Sequence, residues 1–223
     1  MANAPESDEQ TPSAAVLAAG PRWPEGTVAA LLRTNLVTEP TRAALRQRLE
    51  RCDTVEPSFF DAQRFALLRA VCARLLPQTE ANPVDIAGKI DARLSAGSGD
   101  GWRYASMPPD PIALWRGLDG IGESAEMMFG YPFGELGDDE KDTVLCAVQD
   151  ERAPGSTWGQ IPGGRFFEDL LAEVVGHFYA HPSAQDEIGY VGMADAKGWE
   201  AIGLDRRAAH EPLPAIPRAG AET

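Results

Sequence analysis

The sequence predicts an all-α fold: an irregular single-domain helical bundle with extended N- and C-terminal arms and long loops. Three observations carry that reading. Apolar residues recur at helical spacing through most of the chain. No run of alternating Val, Ile, Thr or aromatic residues exceeds four positions, and no Asn-Gly or Asp-Gly turn joins such runs. Helix-starting and helix-stopping residues bracket the periodic segments, as Asp61 and Pro77 do. No internal repeat recurs at a fixed period.

Residues 1–24 hold four prolines and several acids, with little to bury, and read as a flexible arm. The helical domain is expected over 25–203. Its first helices are placed near Glu25 to Arg33 and Thr38 to Arg51. Asp61 to Leu76 sets Phe65, Leu68, Cys72 and Leu75 on one stripe, with Asp61 as N-cap and Pro77 as the stop. Pro83 to Ser95 aligns Ile86, Ile90 and Leu94. Pro111 to Phe129 aligns Leu114, Leu118, Ile121, Ala125 and Met128, although glycines at 117, 120 and 122 weaken it. Asp138-Asp139-Glu140 opens a further helix, because acids in a first turn are favoured by the helix dipole. The strongest helix spans Gly163 to Ala180 and carries Phe166, Phe167, Leu170, Leu171, Val174, Val175 and Phe178. Residues 204–223 form a second polar tail with Pro212, Pro214 and Pro217.

The chain has 223 residues, and its 20 Lys+Arg against 34 Asp+Glu give a formal charge of −14, with 43% hydrophobic content. A domain has roughly 100 to 200 residues, so the length suits one good core and is too short for a flavin or nicotinamide enzyme with a separate substrate domain. Nucleic acid recruits proteins through Lys and Arg at phosphates, which makes it an unlikely match for a chain this acidic. Cys52, Cys72 and Cys146 lie too far apart for a zinc ribbon, a C-x-x-C pair, a haem attachment or an iron–sulfur run. Cys72 and Cys146 are expected as small buried hydrophobes. The first ten residues lack a positive n-region, and no apolar run reaches the length of a signal or a membrane span. A cytoplasmic location is therefore expected, or a periplasmic one if the chain is exported with a signal-bearing partner.

Several constellations invite chemistry. Gly120-x-Gly122-x-x-Ala125 imitates a dinucleotide fingerprint, which works only where a strand feeds a tight turn into a helix. Here the pattern lies within a helix, so close helix contact or a helix break is the expected role. Glu173, His177 and His181 follow at spacings of four and suggest a metal site, yet the position after the first His, where H-E-x-x-H proteases carry the catalytic Glu, is Phe178. Packed, hydrogen-bonded histidines near a helix C-terminus, where the dipole favours an imidazolium, are the alternative. No G-x-S-x-G elbow occurs. The acid clusters Asp138-Asp139-Glu140 and Asp186-Glu187 read as a solvated helix start and a solvated loop. Trp102, Trp115, Trp158 and Trp199 sit in or beside Gly/Pro-rich segments, which suits aromatic anchors against a partner as well as a local core.

Arg165-Phe166-Phe167-x-x-Leu170, then Gly176-His177-Phe178-Tyr179-Ala180-His181-Pro182, then Gly189, Gly192 and Gly198-Trp199-x-x-Ile202-Gly203, resembles the gluconate 2-dehydrogenase subunit 3 family. Upstream, Phe65-x-x-Leu68 to Leu75-Leu76-Pro77, followed by Ile86 and Asp91-x-x-Leu94, is similar to that family's first block. The resemblance spans about residues 60 to 203. It implies a non-catalytic small subunit that binds, stabilises and helps to assemble a large FAD-dependent subunit of the glucose-methanol-choline type, acting on a sugar, polyol or related alcohol. FAD is then expected in the partner and no cofactor in this chain, with a cytochrome c subunit as a possible third component. Some relatives carry a twin-arginine signal, from which this N-terminal arm departs. Trp158, His177, Phe178, Tyr179, His181, Pro182 and Trp199 are the expected interface residues. The alternatives are a metal-dependent helical enzyme using Glu173, His177 and His181, and a free-standing scaffold protein.

Overall fold

A computed structural model of the chain describes residues 27–49, 56–78, 84–99, 104–190, 192, 203, 204 and 206. Among them every regular element is helical: α1 Thr27–Leu31, α2 Glu39–Leu49, α3 Ala62–Leu75, α4 Ile86–Ser95, α5 Asp110–Phe129, α6 Asp138–Gln149, α7 Gly163–Tyr179 and α8 Pro182–Ile188. Single turns of 3-10 helix at Phe133–Glu135 and Thr157–Gly159 join α5 to α6 and α6 to α7. The all-α expectation holds. The N-terminal arm, the C-terminal tail apart from Leu204 and Arg206, Trp102, Trp199 and His210 lie outside the described residues.

Local chemistry sets the helix ends. Asp61 caps α3 by accepting from the Arg64 backbone N–H at 2.9 Å, and Asp85 caps α4 by accepting from Gly88 N–H at 3.0 Å. Pro111 stands in the first turn of α5, and Gly130, at φ 79°, ends that helix in the left-handed conformation that glycine adopts without steric cost. Gly137 starts α6, and its N–H is held by the Glu140 carboxylate at 2.8 Å, so part of the acid cluster caps the helix. Asp186-Glu187, expected in a loop, lies instead in α8. That helix has only seven residues, too few to display a period, and its one start signal is Pro182.

The chain divides into two compact units, 1–47 with 182–223 and 48–181, a division that helical periodicity does not reveal. In the first, α1 packs against α8. Val28, Leu31, Leu32, Val37 and Leu45 form its core, with Leu36 against it. The Asp186 carboxylate accepts from the Val28 backbone N–H, meeting one of the donors that a helix start leaves unpaired.

The larger unit packs α6 and α4 against α7, α5 against α6 and α7, and α3 against α4 and α5. Leu68, Val71, Ile90, Leu118, Ile121, Val144, Val148 and Val174 are wholly inaccessible to solvent. Each such side chain contributes about 1.5–3 kcal/mol of burial free energy. Cys72 is buried here as expected, whereas Cys146 is exposed. The reason is angular: α6 buries Val144, Leu145 and Val148, and Cys146 points to the opposite side of the helix. Trp115 lies edge-on to Phe59 and stacked on Phe60, while the Arg64 guanidinium sits 4.2 Å from its ring centroid and binds Asp119.

Candidate functional site

The C-terminal half of α7 carries three of the seven expected interface residues, His177, Phe178 and Tyr179. The helix has a broad apolar stripe of Phe166, Phe167, Leu170, Val174 and Phe178 that is buried, and this leaves Glu173 and His177 half-buried at its margin. Phe178 is buried, and Tyr179 is exposed with its ring edge-on to Phe178 at 5.1 Å. His181 is half-buried just past the helix end, and Pro182 is buried as the first residue of α8.

Glu173 is not presented to a metal. Its carboxylate accepts from Arg93 Nε at 2.6 Å, and His177 Nε2 stands 3.6 Å from the same oxygen. Arg93 also donates to Asp110 at 3.2 Å and to the Ser98 carbonyl at 2.8 Å, so one buried guanidinium ties α4, α5 and α7 together. A cation placed on Glu173 would be repelled by Arg93. Among the described residues no group of three or more His, Cys, Asp or Glu side chains is arranged to hold a metal ion. At His181 burial pushes the imidazole pKa down, and the charges of Lys89 and Arg48 push the same way against a hydrogen bond with the Arg48 backbone.

A cavity of about 580 Å³ opens beside this half of α7. Arg93, Asp110, Glu173 and His177 line one side, and Arg165 with Tyr104 the other. Arg165 pairs with Glu168, approaches Asp169 at 3.6 Å and lies 4.1 Å from the Tyr104 ring centroid. Among the described residues neither serine nor cysteine lines the cavity, and the charges that ring it are matched with one another.

Trp158, expected as a partner anchor, is half-buried within its own unit. Its indole N–H donates to Ser124 Oγ at 2.8 Å, and Ser124 donates in turn to the Pro154 carbonyl at 2.7 Å. The ring packs against Phe166 and over Gly120, where an added Cβ would lie 2.6 Å away. This makes Gly120, the first glycine of the Gly120-x-Gly122 pattern, a close-contact position. Both glycines are interior to α5, with no preceding strand and no phosphate-facing turn, so these residues do not fit a dinucleotide.

Sequence reading missed Arg93, whose partner Glu173 lies eighty residues away and leaves no local signal. Arg165 appears there only within a motif, although Glu168 and Asp169 at i+3 and i+4 mark its ion pairs locally.

A helical domain whose polar side chains bind one another, with an exposed tyrosine at the end of its longest apolar stripe, has the make-up of an accessory subunit. The chain belongs to the gluconate 2-dehydrogenase subunit 3 family, which it matches over residues 62–205, from the start of α3 to beyond α8. That family name describes an accessory subunit of a multi-subunit dehydrogenase complex. No curated protein and no solved structure matches the chain. No helix among the described residues is long and apolar enough to cross a membrane.

Proposed function

We propose that this chain is the non-catalytic small subunit that binds and stabilises a large FAD-dependent oxidoreductase subunit of the glucose-methanol-choline type, acting on a sugar, polyol or related alcohol. The observation that carries the reading is the family match across residues 62–205. FAD belongs to the partner in this reading, and a cytochrome c subunit is the natural third member if electrons leave the complex.

Interfaces favour aromatic residues whose polar end stays hydrated. Tyr179 fits that description: its ring is exposed and is steadied by Phe178 beneath it. His177, two residues earlier, lies on the partly accessible margin of the helix. Met127 and Tyr131, each 62% exposed around the end of α5, supply further apolar surface. Phe178 supports the contact from below.

The test is co-expression of the tagged chain with the flavin oxidoreductase encoded nearest to it. A yellow complex that survives size-exclusion chromatography is expected, and Tyr179→Ala should weaken it. Recovery of the chain without flavoprotein, with the oxidoreductase equally soluble and active alone, would overturn the reading.

A further inference from the structure

Below the end of α7 lies a second cavity, of about 430 Å³, within the larger unit. Arg48, Lys89, Arg93, His177 and His181 line it, and the remaining lining residues are Ala92 and Ala180. Among the described residues no acid lines it, in a chain where acids outnumber Lys and Arg by 34 to 20. The basic groups come from the last turn of α2, from α4 and from the end of α7, so the tertiary fold gathers them.

Their charges are not all matched. Arg93 is held by Glu173 and Asp110. Lys89 is half-buried and pairs with no acid among the described residues, and Arg48 uses one nitrogen on the Ala180 carbonyl at 3.0 Å. Two cations lining one cavity without an acid partner repel each other, and their charges add to burial in lowering the His181 pKa. A bound anion relieves that repulsion, and a guanidinium fork beside an ammonium matches the oxygens of a phosphate or carboxylate.

We propose that this cavity is a binding site for a small multivalent oxyanion, held by Arg48 and Lys89 with His181 and His177 as further donors. The site is independent of the flavoprotein reading, since it needs only this chain. Arg48, Lys89 and Arg93 face His181 as cations and Glu173 is the nearest acid along α7, so the bound anion raises the His181 pKa and binds more tightly as pH falls through the histidine range.

Calorimetric titration of the full chain with inorganic phosphate and with citrate, at fixed ionic strength in chloride, tests this. One saturable site is expected for at least one of the two, and which one binds tells phosphate from carboxylate chemistry. Lys89→Gln and Arg48→Gln should each weaken it about tenfold or more, the loss of one charge-assisted hydrogen bond. Arg152→Gln, the same charge change on an exposed residue that does not line the cavity, should leave it unchanged. Circular dichroism checks folding, and the exposed Arg48 carries the test if Lys89→Gln unfolds. An imidazole signal of His181 that moves to higher pKa with the anion adds support. Absence of saturation with both anions, or equal loss in Arg152→Gln, would mean an adventitious ion only and would overturn the site.

Discussion

The ring of Phe166 occupies the space that a side chain on Gly117 would need: a Cβ built there falls inside the ring, and both residues are buried. Gly120 stands in the same relation to Trp158. Gly122 does not, since the nearest atom to its Cβ position is a Leu67 methyl at 3.8 Å. The three glycines therefore separate by experiment. Gly117→Ala and Gly120→Ala are expected to destabilise the protein by about 1–3 kcal/mol through overpacking. Gly122→Ala is expected to stabilise it by up to about 1 kcal/mol through helix propensity. Urea midpoints that do not differ among the three variants would refute the close-contact role.

Asp91 is 1% exposed, and its carboxylate accepts from the backbone N–H groups of Ser58, Phe59 and Phe60 at 2.6, 3.1 and 2.9 Å. It thus fixes the chain that leads into α3. Asp91→Ala should cost about 3 kcal/mol or more, because buried donors lose a charged acceptor. Asp91→Asn, which keeps one acceptor oxygen, should cost less. Equilibrium denaturation of the two variants measures the difference.

Glu123 accepts from the backbone N–H groups of Ser156 and Thr157 and from the Ser156 hydroxyl. These bonds lower its pKa from 4.5 to about 2. A depressed carboxylate stabilises the fold fully above its unfolded value and loses that effect as pH falls towards the folded one. The melting-temperature gap between wild type and Glu123→Gln should accordingly be constant above pH 4.5 and close towards pH 2. A gap that is independent of pH across this window would sink the idea.

Burial, with Glu173 and Asp85 adding to it, pushes the Cys72 thiol up to about 12. The thiolate is the reactive form, so Cys72 should resist iodoacetamide in the native protein. Cys146 is exposed and should be alkylated within the same exposure. Peptide mapping after timed labelling distinguishes them, and Cys72 should label only in denaturant.

The helices were legible because each carries a local signal. Asp61 and Pro77 bracket α3 within a residue or two, and the apolar stripe from Phe166 to Phe178 announces α7. The α8 helix escaped because seven residues beginning with proline hold no full period. The sequence leaves the role of Trp158 open, because a tryptophan in a Gly/Pro-rich segment looks the same whether it meets a partner or its own core. What decides is Gly120 on α5, which leaves room for the ring, and Ser124, which takes its N–H.

By itself the sequence determined the helical class, the positions of the main helices and the family, since these rest on spacing and short motifs along the chain. Only the tertiary structure decided where the charges went. Glu173 faces Arg93 rather than a metal, His177 lies beside Glu173, and Arg48 and Lys89 share a cavity that no acid among the described residues lines. Those outcomes depend on which helix packs beside which, and Coulomb interactions act over a few ångströms in space regardless of the separation in sequence.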